Sequence, residues 1–145
     1  MSQNQTQLHH DKYDKNSKNM RLDAVIQDIS SILAKKVSDI KKGKDLEKAI
    51  GVLAQDGLYA FYVFCLSKTW NKGNESLWKD VVEPSIKSLV RYIPPYQEKT
   101  LDENFFKELA SSLHNLLFLR ELIQKLLVYT RYHLKAMSAV EGENG

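Results

Sequence analysis

The stretch Leu116 to Ala139, LLFLRELIQKLLVYTRYHLKAMSA, contains no glycine or proline and repeats its apolar residues at helical spacing. At about 100° per residue, Phe118, Leu119, Leu122, Ile123, Leu126, Leu127, Thr130, His133, Leu134 and Met137 share one broad side. Arg120, Gln124, Arg131, Lys135 and Ser138 fall in a narrow arc opposite, with Lys125 and Tyr132 at its shoulder. A helix apolar over so wide a side needs several neighbouring helices to cover it. The stretch therefore predicts an all-α fold: a compact bundle of about five to six helices with a long amphipathic C-terminal helix and one cationic face.

A chain of 145 residues is long enough for one domain with a real core. Net charge is only +3, so any case for a polyanionic partner must rest on local clustering. The single cysteine, Cys65, rules out an internal disulfide and a cysteine-rich zinc site, and favours a reducing, cytoplasmic location. It sits in the apolar run FYVFCL and reads as a buried small hydrophobe. Arg120, Lys125 and Arg131 interrupt the longest apolar stretch, so no membrane span is expected. MSQNQTQLHH lacks the apolar core of a signal peptide.

In chain order, residues 1–19 are polar with almost nothing to bury and read as a disordered tail, in which His9 and His10 have no third metal-ligating partner. Residues 20–139 read as a single helical domain. Its first helix, Met20 to Lys42, buries a stripe of Leu22, Ile26, Ile29, Leu33, Val37 and Ile40, with Asn19 as cap and Gly43 as stop. Its exit is strongly basic through Lys35, Lys36, Lys41, Lys42 and Lys44. A second helix spans Asp45 to Lys68, where Gly57 suggests either close approach of another helix or a short break. Trp70 to Asn74 is a loop, and a helix from Glu75 to Tyr92 is expected to kink or break at Pro84. After a Pro94 to Lys99 connector, Thr100-Leu-Asp-Glu103 reads as a capping box opening the next helix. Ser111 to Asn115 weaken the pattern and imply a break before Leu116, and residues 140–145 form a short acidic tail. No strand pattern is visible.

Catalytic motifs are lacking. The six glycines are scattered rather than arranged as a phosphate-cradling loop, and neither Glu-x-x-His pairs nor His-Glu-x-x-His occur. His133 falls on the apolar side and reads as a partly buried core histidine, and His114 as structural. The chain is accordingly expected to be no enzyme and to need no cofactor or metal. What remains is the cationic face. Arg120, Arg131 and Lys135, with Lys125 alongside, suit contact with phosphates along an extended strand, and Tyr132 suits stacking on a base. Lys41 at the first helix's basic exit is a further candidate. The same face reads also as an ordinary solvated surface carrying a Glu121–Lys125 i,i+4 pair.

Two stretches carry a family resemblance. Leu46 to Leu66, LEKAIGVLAQDGLYAFYVFCL, resembles the helix with a central Gly-Leu and a following alanine/phenylalanine run in the Cmr small-subunit family. Leu117 to Ala139 resembles that family's C-terminal helix, whose cationic-aromatic step is here Arg131-Tyr132, followed by Ala136 and Met137. The family is the small helical subunit of the type III-B CRISPR (Cmr) RNA-guided effector complex. Tyr129 or Tyr132 stands where the family often has tryptophan, and the type III-A small subunit is the nearest alternative. The resemblance implies a non-catalytic protein of antiviral defence. It would stack with copies of itself, bridge other effector subunits, and line the path of crRNA and target single-stranded RNA without taking a small-molecule substrate. Arg120, Arg131 and Lys135 are then the expected RNA-facing group, with Lys125, Tyr132 and Lys41 as weaker members. A helical adaptor binding an acidic protein partner is the rival reading from another class.

Overall fold

The computed structural model describes the backbone of residues 2–70 and 75–144, and side chains over 21–69 and 75–140. Within these residues the chain is an all-α bundle with a long C-terminal helix. Its helices are α1 (Ser2–Asp39), α2 (Gly43–Asp56), α3 (Leu58–Ser67), α4 (Glu83–Val90), α5 (Glu103–Ala110) and α6 (Leu113–Asn144). The predicted stop at Gly43 is displaced. The backbone of α1 ends at Asp39 and reverses at Lys41, whose φ of 58° is left-handed. Lys42 N–H donates to the Val37 carbonyl and Lys41 N–H to that of Ser38, the paired bonds of a Schellman motif. Gly43 instead opens α2.

Residues 2–19, expected to be a disordered tail, continue the backbone of α1, with neither glycine nor proline to interrupt it. The His9–His10 side chains and residues 71–74 of the expected Trp70–Asn74 loop lie outside the described residues. At the other end the expected acidic tail, residues 140–145, is likewise taken up by α6 as far as Asn144.

The expected second helix is two. Gly57 breaks it with φ 95° and ψ −175°, a conformation essentially confined to glycine. A Cβ added there would meet nothing within 4 Å. Of the two readings of this glycine the break is therefore correct, and close helix approach is not its reason. Thr69–Trp70 pairs antiparallel with Glu75–Ser76, a two-residue ladder too short to leave a pattern in the sequence. The expected break at Pro84 is absent. A π-helical turn, Trp78–Val82, gives way to α4 at Glu83, and Pro84 sits in the first turn of that helix without ending the helical run. The expected capping box also shifts. Asp102 is the cap of α5, its Oδ1 accepting from Phe105 N–H at 3.0 Å, which leaves the Glu103 side chain free for a tertiary contact.

Packing follows from which faces these breaks expose. α6 lies along α1 and also meets α2 and α5. Leu119, Ile123, Leu126 and Leu127 of α6 are fully buried, each contributing about 1.5–3 kcal/mol by leaving water. The buried stripe of α6 is narrower than the sequence pattern suggested. Phe118 is 41% exposed and His133 is exposed, so His133 is no core histidine. The far side of the core is aromatic. Tyr62 of α3 stacks on Phe106 of α5 at 4.6 Å and meets Trp78 edge-on at 4.8 Å. Phe105 then links this cluster to Tyr96 in the connector, at 5.6 Å. Cys65 is fully buried and burial pushes its thiol pKa up, as suits an inert core residue.

Candidate nucleic-acid interface

The six cationic and aromatic residues singled out above do not stay together. Three have structural employment or a neighbouring position; three converge. Arg120 is about two turns from the α6 start and half-buried. Its Nη2 donates to the carbonyls of Leu53 at 3.1 Å and Ala54 at 2.8 Å. These lie in the last turn of α2; the Leu53 carbonyl also accepts from the Gly57 N–H at 3.2 Å, and the guanidinium adds a charged donor at the negative end of that helix. Lys125 Nζ lies 2.6 Å from Asp23 Oδ1, which fastens α6 to α1. The hydrogen bond to Asp23 holds the Lys125 pKa above the ordinary lysine value. The ammonium also lies 5.8 Å from the Tyr129 ring centroid. The expected pairing with Glu121 gives way to this contact between helices.

Arg131, Lys135 and Lys41 meet. An open cleft of about 730 Å³ lies between the Lys41–Asp45 turn and the C-terminal half of α6. Lys41, Lys42 and Lys44 come from the turn, and Arg131 and Lys135 from α6. Leu134 supplies an apolar patch backed by the core residues Leu46 and Ile50, and Asp45 and Glu47 are the only carboxylates among the described residues of the lining. The fold makes this site by two separate acts. The left-handed residue Lys41 turns the chain so that its basic exit faces sideways, and the Leu134 register on α6 brings Arg131 and Lys135 opposite. Lys42 and Lys44 belong to the basic run visible in the sequence. What the sequence concealed was their partner across the cleft, since residues 41–44 and 131–135 come together through the packing of α1 and α2 on α6.

The Nε–H of Arg131 is buried and donates to nothing among the described residues, while the guanidinium carbon lies 6.0 Å from the Tyr132 ring centroid. Tyr132 itself is 60% exposed. With Tyr129, His133 and Ala136 it lines a shallow depression of about 190 Å³ beside the cleft. The arrangement is therefore a concave cationic surface with an exposed aromatic ring adjoining it, suited to holding an anionic chain.

Comparison with protein-family models, curated proteins and solved structures returns no match for this chain. Among the described residues no cluster of three or more metal-ligating side chains occurs, and no helix is long and apolar enough to cross a membrane.

Proposed function

We propose that this chain is a non-catalytic small subunit of a type III-B CRISPR (Cmr) effector ribonucleoprotein, working in the cytoplasm in antiviral defence. In this role it contacts the phosphates of crRNA or target RNA through the cleft and bridges neighbouring effector subunits and further copies of itself. The observation that carries the RNA contact is the convergence of Lys41, Arg131 and Lys135, from opposite ends of the sequence, on one concave surface. Cations so placed neutralise backbone phosphates and release counterions, which binds a strand without reading its sequence. The placement in a Cmr assembly is supported by the resemblance of Leu46–Leu66 and Leu117–Ala139 to that family's helices. Arg120 and Lys125 drop out of the contact set, because each already holds two helices together.

The test is native co-purification of the tagged chain, with mass spectrometry of its partners and sequencing of bound RNA. Recovery of a set of CRISPR effector subunits with repeat-derived RNA is the expected result. A single acidic partner without RNA would overturn the reading in favour of the helical adaptor, and recovery of type III-A subunits would move the chain to that complex.

A further inference from the structure

Phosphate neutralisation does not account for everything in the cleft. A surface that only gripped a phosphate backbone would have no use for an apolar floor, and would lose affinity by placing carboxylates among its cations. Half-buried Leu134 offers such an apolar surface, backed by the core residues Ile50 and Leu46, and Asp45 and Glu47 stand within the lining. Asp45 has a structural reason to be there, since it occupies the first turn of α2 and favours the positive end of that helix. Glu47 lies beyond that turn, is exposed, and its side chain takes part in no hydrogen bond or ion pair among the described residues. The open cleft, of about 730 Å³, has room for one nucleotide.

Resting on the RNA-binding reading, we propose that the cleft seats one whole nucleotide of single-stranded RNA, with a preference for a base that carries an exocyclic amino group. The phosphate lies against Arg131, Lys135 and Lys41. The base lies over Leu134, with Ile50 and Leu46 beneath. Glu47 accepts from the amino group of cytosine, adenine or guanine, as a carboxylate accepts from cytosine N4. Uracil offers only an N–H flanked by two carbonyl oxygens, and those oxygens face the carboxylate unfavourably. Single-stranded RNA permits such a contact because its bases are free to splay out of the stack.

The experiment is fluorescence anisotropy of the full chain with labelled oligo(C) and oligo(U) of equal length, each titrated at several salt concentrations. Cytosine and uracil differ little in size, so their contact with the floor cancels in the comparison. Oligo(C) is expected to bind about tenfold tighter at equal salt, the order of one hydrogen-bonded base edge. In Glu47→Ala the two affinities converge, while oligo(U) binding strengthens through the lost negative charge. Equal affinities in the unchanged chain, with a normal salt dependence, would overturn the nucleotide seat and leave the RNA reading standing. A tenfold ratio that persisted in Glu47→Ala would also overturn it. Failure of both oligomers to bind at millimolar protein would overturn both readings.

Discussion

Arg120 on α6 donates a hydrogen bond of 2.8 Å to the backbone carbonyl of Ala54, at the end of α2. The contact joins residues 66 apart in sequence, and a second bond to Leu53 makes the guanidinium a two-point cap. On a helical wheel Arg120 shares an arc with Arg131, yet its charge faces a neighbouring helix end and not the cleft.

Arg120→Ala is therefore expected to cost stability and leave RNA binding alone. Hydrogen bonds from a charged donor are worth about 1.5–3 kcal/mol each, less here because the group is only half-buried, so a loss of about 1–2 kcal/mol is expected. Arg131→Ala should behave oppositely, with little change in stability and a salt slope for single-stranded RNA shallower by about 0.7. Urea denaturation and binding titrations on the two variants check the contrast. If Arg120→Ala also flattened the salt slope, the division of labour would be wrong.

The contrast shows what was legible in the sequence. The apolar repeat of Leu119, Ile123, Leu126 and Leu127 identifies α6 because burial alone produces that spacing. The polar arc is less informative, since any cation off the apolar stripe falls there, whether it meets solvent, a carboxylate or a helix end. Lys125 and Arg120 diverge from Arg131 and Lys135 because α1 and α2 present Asp23 and the Ala54 carbonyl to them. Those partners are 102 and 66 residues away, beyond any local pattern. The misplaced caps have a local cause: Thr100 and Asp102 are both good caps, and only the geometry of the connector selects Asp102.

Gly57→Ala should destabilise the chain although there is room for the methyl group. The backbone at φ 95°, ψ −175° is strained for any residue with a Cβ, by about 1–3 kcal/mol. The crowding alternative predicts a different pattern. A steric clash would worsen steeply from alanine to valine, whereas backbone strain makes alanine already costly. Thermal denaturation of both variants distinguishes the two.

Tyr59 donates to Glu103 Oε1 at 3.0 Å, tying α3 to α5, and Lys107 lies 3.4 Å from the same oxygen. The Tyr59 hydrogen bond, then Lys107, hold the Glu103 pKa below its ordinary value, and the same bond raises that of Tyr59. Because the folded carboxyl is depressed, its contribution is present above the unfolded value of about 4.3 and is lost as pH falls through the folded value. Because the folded phenol is raised, its contribution is present below about pH 10 and is lost as pH rises through its folded value. The stability difference between the parent chain and Tyr59→Phe should thus be level at neutral pH and shrink at both extremes. Denaturant midpoints at pH 3, 7 and 11 test this; a difference independent of pH would show that the hydroxyl acts only through packing.

Lys41 offers the sharpest separation of fold from function. Its φ of 58° is the position at which a Schellman motif favours glycine, and a side chain there costs about 1–2 kcal/mol. Lys41→Gly relieves that strain but adds freedom to the unfolded chain, so a net gain of about 0.5–1 kcal/mol is expected. The same change removes a cation from the rim of the cleft, so the salt slope for single-stranded RNA should fall by about 0.7. Lys41→Ala is the control: it loses the charge and keeps the strain, and should weaken binding equally without a gain in stability. A variant that is more stable and binds RNA less well would mean that the strained residue is retained for the ammonium it delivers to the cleft. If Lys41→Gly were more stable and bound RNA as before, the turn would be a purely structural cap and the cleft would be served by Arg131, Lys135 and the remaining lysines.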